Sequence, residues 1–305
     1  MIDLHGNAKL SGSIPASYGE LPALTDFSAA GTGICGSIPG DLSLFVVLEN
    51  QQQALGTSIG DACGLKSEQA PALYDLQNAV ADPNSALLVE GWAFSADGAE
   101  TPLSDPCTAP WGGISCQDDG GVTALSLLNL GLGGALPLTS SLGLLSDLLS
   151  LDLASNGIGG TLSPEALSGM SLLTALDMSG GSISGTLPSE LWGLAGLQRL
   201  ALSSNDIGGT LISGGLEQLA ALTALALGGN LFSGGIPDDF GGTPELADLN
   251  LAGNRLTGGL PESMAYLQML TSLELQGNLL SGGLPAALLA NLTSLTYLDL
   301  SECLW

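Results

Sequence analysis

One stretch, Leu246 to Pro261, sets the terms on which this chain can fold. It reads LADLNLAGNRLTGGLP, with leucine at 246, 249 and 251, then Asn254, Leu256, Gly258 and the pair Leu260-Pro261. The template returns at Leu222 to Pro237 (LTALALGGNLFSGGIP) and at Leu270 to Pro285 (LTSLELQGNLLSGGLP). A unit of this kind cannot bury its leucines alone. Stacking at least about three units makes one continuous core, so the pattern predicts a solenoid. Leu249 and Leu251 are two apart, so on a strand both point to the same interior face. Asn254 ends that strand, and its amide offers two donors and an acceptor oxygen where the chain turns. Copied from coil to coil, such amides can form a ladder. Gly258 stands where the backbone bends back, and Pro261 stiffens the return.

The same comb organises most of the chain. Its second leucine recurs at Leu125, Leu151, Leu176, Leu200, Leu225, Leu249, Leu273 and Leu298, a spacing of 24 to 26 residues. The ladder position is held by Leu130, Asn156, Gly181, Asn205, Asn230, Asn254, Asn278 and Cys303, with Leu130 and Gly181 expected to forfeit local bonds. Two further coils open the chain: Ile2, Leu4, Asn7, Leu10, Gly12 and Ile14-Pro15, then Leu24, Phe27, Ala29, Thr32, Ile34, Gly36 and Ile38-Pro39. After Pro39 the comb fails. From Ser67, a plausible N-cap, Leu73, Leu76 and Val80 fall on one helical face, which Asp82-Pro83 ends. The expected organisation is therefore 1–39, the end of a first array; 40–66, array end and connector; 67–121, a capping segment; and 122–305, a second array of about eight coils. Met1 is followed at once by strand-like Ile2-Asp3-Leu4, and the last comb stops at Trp305, so both ends read as cuts inside repeats of a longer protein.

The comb L-xx-L-x-L-xx-N-x-L-x-G-x-[IL]-P resembles the plant-type extracellular leucine-rich repeat. Residues 67–127, with Trp92, Asp105-Pro106-Cys107, Trp111 and Gly113-Ile114-Ser115-Cys116, resemble the N-terminal cap of plant receptor-like kinases, receptor-like proteins and polygalacturonase-inhibiting proteins. The alanine- and glycine-rich, lysine-poor style is closer to an algal or protist relative than to a land-plant receptor. The resemblance implies an α/β solenoid, a right-handed curved superhelix with a parallel β-sheet on its concave face and a cap in mid-chain. It also implies a Cys107–Cys116 disulfide, an oxidising compartment and an extracellular or cell-surface location. Cys35 and Cys63 flank the end of the first array; they either pair across the connector or remain two buried thiols. Cys303, at the ladder position, reads as a structural thiol. Asn291-Leu292-Thr293 is an N-glycosylation sequon. The Gly-rich loop, strand lysine, HRD and DFG of a kinase are missing, so the family's kinase activity does not carry over.

Composition narrows the partners. Thirty acids face Lys9, Lys66, Arg199 and Arg255, for a net charge of −26. Nucleic acid and anionic membrane both demand a basic surface, which this chain lacks. The longest apolar run, Leu42 to Leu48, is too short to span a bilayer, so contact with a membrane would have to come through segments outside this sequence. Catalytic motifs fare no better. Gly31 to Gly36 spells G-x-G-x-x-G, but it lies in a repeat turn instead of opening a helix. Gly56 to Gly60 spells G-x-S-x-G, yet the only histidine, His5, is upstream. No cofactor or metal-ligand set is expected.

What remains is the outward face of the strands. Its central column runs Ser126, Asp152, Asp177, Ala201, Ala226, Asn250, Glu274, Asp299, and the column before it Ala124, Ser150, Ala175, Arg199, Ala224, Asp248, Ser272, Tyr297. Stacking sets Asp152 beside Asp177 and Glu274 beside Asp299, about 5 Å apart. Such pairs serve as solvated surface, as a basic-peptide or Ca2+ contact, or as a glycosidase pair, which here would lack a walled cleft. Arg199 is expected to pair with Asp177. The ligand-facing candidates are Asp152, Asp177, Arg199, Asp248, Asn250, Glu274, Tyr297 and Asp299. They suit a non-enzymatic recognition module for a protein, peptide or glycan ligand. The alternatives are an acidic structural or matrix spacer and an inhibitor of a secreted hydrolase.

Overall fold

The computed structural model describes residues 2–4, 7, 11–14, 16–18, 27–28, 33–36, 58–59, 65–79, 105–107, 111–135, 140–211 and 214–304. Two compact units divide the chain: Met1–Ala70 with Gly91–Thr123, and Pro71–Glu90 with Ala124–Trp305.

In the first unit, Ile2–Asp3 pairs in parallel with Phe27–Ser28, and Ser11–Ser13 with Gly33–Gly36. Gly33–Gly36 is itself a strand, so the G-x-G-x-x-G opens no helix. Ser58–Ile59 adds a further parallel strand beside Cys35–Gly36. Lys66 pairs with Asp119 at 3.0 Å, and Asp105 accepts from the Leu65 N–H. Gln69 is fully buried, and its Oε1 accepts from Val122 N at 2.8 Å. Nothing in the comb pointed to Gln69; a buried amide that takes up a strand's first N–H can be found only once the two segments meet. Ser67 lies inside a 3-10 turn, Ser67–Gln69, that leads into the helix.

The second unit is a stack of parallel coils. Its helix, Ala70–Ala79, carries Pro71 in the first turn, where a missing N–H removes no helical bond, and buries Ala72, Leu73 and Leu76. Val80 lies outside the described residues. Eight inner strands follow: Val122–Ser126, Ser150–Asp152, Ala175–Asp177, Arg199–Ala201, Ala224–Ala226, Asp248–Asn250, Ser272–Glu274 and Tyr297–Asp299, each paired in parallel with the next. Leu125, Leu151, Leu176, Leu200, Leu225, Leu249, Leu273 and Leu298 are direct partners in one register, and all but Leu298 are buried. The interior row that the comb demands is present.

A second parallel sheet follows the ladder residue, where the repeat pattern predicts only a bend. Its strands are Gly133–Ala135, Gly157–Thr161, Ser182–Thr186, Asp206–Thr210, Leu231–Gly235, Arg255–Gly258 and Leu279–Leu280. Ile158, Ile183, Ile207, Phe232, Leu256 and Leu280 point inward and are buried. The outward positions are mostly Gly, Ser and Thr. Gly209 shows why. Its φ is +88°, and the Cγ2 of Thr186 lies 2.9 Å from where a β-carbon would project, so only glycine fits.

Return segments are short helical turns, among them Ser189–Gly193, Phe240–Gly242 and Glu262–Tyr266. In Pro164–Gly169, Ser163 caps the helix by accepting from Ala166 N, with Pro164 at the first position.

Candidate binding face

The asparagines hold the coils in register. Asn230 donates through Nδ2 to Leu202 O of the preceding coil and to Leu227 O of its own, while its Oδ1 accepts from Ile207 N. Asn156, Asn205, Asn254 and Asn278 repeat this arrangement with distances of 2.7–3.1 Å, and all five are buried. Cys303 is a free thiol whose Sγ donates to Leu275 O, the bond an asparagine would make there. Cys107 and Cys116 form a disulfide. Cys35 is disulfide-bonded, and Cys63 lies outside the described residues. Asn291 is exposed at the end of helix Ala286–Asn291.

That scaffold presents the two outward columns. Asp152 is the direct partner of Asp177, and Glu274 of Asp299. The structure gives these side chains a local task as well. Asp152, Asp177, Asn250 and Asp299 each accept through Oδ1 from the N–H two residues on, at 3.0 Å, which turns the chain at the strand end. For the solvent-facing Asp299, bonds from the Ser301 N–H and hydroxyl hold the carboxyl below its usual range. Arg199 reaches Asp177 Oδ2 at 3.3 Å. Thr271 donates to Asp248 at 3.4 Å, and Tyr297 is half exposed. Among the described residues, no group of three or more His, Cys, Asp or Glu is arranged to hold a metal ion. No helix among them is long and apolar enough to cross a membrane.

The return side carries polar structure that the comb did not signal. Asp239 is buried; its Oδ2 accepts from Gly214 N and Leu216 N of the preceding coil, and its Oδ1 has no partner. One coil on, Ser263 Oγ accepts from Phe240 N. Trp192 is buried against Gly215, a packing role, with its indole N–H unpaired.

Comparison with known proteins places these features. Leucine rich repeat family profiles match residues 147–207 and 245–267. The rice (Oryza sativa subsp. japonica) brassinosteroid LRR receptor kinase BRL3 is 39% identical over 127 residues, which is 40% of this chain and 10% of that protein. The crystal structure of PEPR1-AtPEP1 superposes with a TM-score of 0.68 at 29% identity, covering 78% of this chain and 32% of that one. The fold is a leucine-rich-repeat solenoid, similar to those of plant receptor kinases. The Arabidopsis receptor kinase HAESA, solved in complex with the peptide hormone IDA and the co-receptor SERK1, matches this leucine-rich-repeat chain with a TM-score of 0.61 at 27% identity, over 78% of it and 42% of HAESA. The chain thus spans a tenth of the length of the receptor kinase BRL3 and less than half of either solved chain.

Proposed function

We propose that this chain is a non-catalytic recognition module of receptor type, working outside the cell or at its surface and holding a protein or peptide ligand against the outward face of the eight-strand row. The observation that carries the reading is the strict register of that row. It sets sixteen outward positions in two straight columns on a rigid, laddered backbone. A pre-ordered surface of this kind suits an extended partner, because the protein forfeits little entropy on binding it. The likeness to ectodomains solved with peptide partners supports the same reading. Its acidity favours a partner with basic side chains.

The test is binding by the purified chain, produced through a secretory host so that its disulfides form. A displayed random-peptide library panned on the immobilised protein should yield binders whose affinity drops when outward columns are altered, Asp152→Lys and Asn250→Lys among the changes. Binders that ignore every such change would place recognition elsewhere, and the proposal would fall.

A further inference from the structure

The outward face is not evenly relieved. Across coils four to seven it sinks into a depression of about 250 Å³, lined by Arg199, Ala224, Ala226, Asp248, Asn250 and Glu274 among others. Ala224 and Ala226 are neighbours two apart on one strand, and their methyls make a low apolar floor. The coil-four wall is Arg199, whose charge is taken up by Asp177. The opposite wall is different. Asp248 and Asn250 flank buried Leu249 on one strand, and Glu274 is the direct partner of Asn250 on the next. Asn250 lines this wall with its Oδ1 engaged by Ala252 N, so its Nδ2 is the group left to donate to a ligand.

We infer that this depression is the anchor socket of the recognition face and takes one lysine or arginine side chain of an extended peptide segment. The inference rests on the receptor reading above and goes past it in naming the place and the chemistry. The aliphatic stem of the basic residue lies over the methyls of Ala224 and Ala226, as long cationic side chains do on apolar surface. Its charged head sits between the Asp248 and Glu274 carboxylates, where charge-assisted bonds are strongest. The Asn250 amide donates to a main-chain carbonyl of the same segment. An acidic side chain meets two carboxylates that no cation neutralises, one of them bonded only to the Thr271 hydroxyl, and is rejected.

Peptides recovered from the displayed library are measured by fluorescence anisotropy against four forms of the full chain: unchanged, Ala226→Phe, Asp248→Asn with Glu274→Gln, and Glu245→Gln with Glu262→Gln. Thermal melts and circular dichroism establish that each form is folded. The socket predicts a lysine or arginine in the recovered peptides whose change to glutamine weakens binding about tenfold. Filling the floor with Ala226→Phe, which leaves every charge in place, and neutralising Asp248 and Glu274 should each cause a similar loss. The charge-matched change at Glu245 and Glu262, off the face, should shift affinity less than about twofold. If all three acid-depleted or filled forms lose affinity alike, or Ala226→Phe loses none, the attraction is diffuse and the socket is refuted while the receptor reading stands. Failure of every library peptide to bind the unchanged chain would overturn the receptor reading and the socket with it.

Discussion

A ladder asparagine acts as a three-way clamp, and one of the positions that lack it shows how local the requirement is. Asn230 satisfies two carbonyls and one N–H that lie in the interior, away from water. Gly181 holds the same place in its coil, so restoring the repeat consensus with asparagine looks like an improvement. The crowding at this position argues against it. A β-carbon at residue 181 would lie 2.8 Å from the Ile158 carbonyl oxygen and 2.8 Å from Asn205 Oδ1, and the first of these belongs to the backbone. We expect Gly181→Asn to destabilise the chain by about 1–3 kcal/mol, the usual range for overpacking. Urea titration followed by circular dichroism checks this, and a stabilised variant would show that the coil relaxes. The comb made the ladder legible because leucine spacing and asparagine position recur together. The crowding around Gly181 was not legible, since it depends on how far one coil has slid against the next, which no single repeat records.

Among elements, the inner strands were fully written in the sequence, whereas the second sheet and the return segments were not. Leu249 and Leu251 alternate with polar neighbours, so period two was plain. In Arg255–Gly258 the inward Leu256 is flanked by exposed Arg255 and Thr257 and followed by Gly258, so a single buried side chain in four residues gives no alternation to read as a strand. The outer acids Asp152 and Asp177 were legible as face residues, but not as turn-makers, because their bond to the N–H two residues on depends on where the strand ends. The return segments hide another acid, Asp239. Burial raises its carboxyl above the ordinary aspartate range, nearby Glu217 adds to this, and the N–H groups of Gly214 and Leu216 oppose it. A raised folded value means that the folded chain binds the proton more tightly than the unfolded one. The carboxylate therefore weighs against folding at neutral pH, and that penalty is relieved as pH falls through the raised value. Asp239→Asn keeps an acceptor for the two N–H groups and removes the charge. Its stability advantage over the unchanged chain should be largest near pH 7 and shrink toward about pH 4. Urea midpoints of both forms across that range decide it; a constant difference would mean that Asp239 does not titrate with folding.

At the scale of the whole molecule the governing quantity is charge. A net charge of −26 sits on a scaffold where attraction is confined to a few pairs such as Lys66–Asp119 and Arg199–Asp177. Like charges repel most in the compact state, and salt screens them over a Debye length that falls from about 30 Å at 0.01 M to about 8 Å at 0.15 M. The long-range repulsion exceeds what a few partly exposed pairs contribute, so sodium chloride over that range should raise the melting temperature, by about 2–4 °C. Calcium provides the sharper contrast. A bound Ca2+ asks for six to eight oxygens. Asp152 and Asp177 already spend one oxygen each on a backbone N–H, and Arg199 takes another from Asp177. Calcium chloride at matched ionic strength should therefore give the same melting curve as sodium chloride. An added rise that saturates with calcium would mean that paired carboxylates of adjacent coils give up their turn bonds to the ion, and the acidic face would then have to be read as a cation-linked surface.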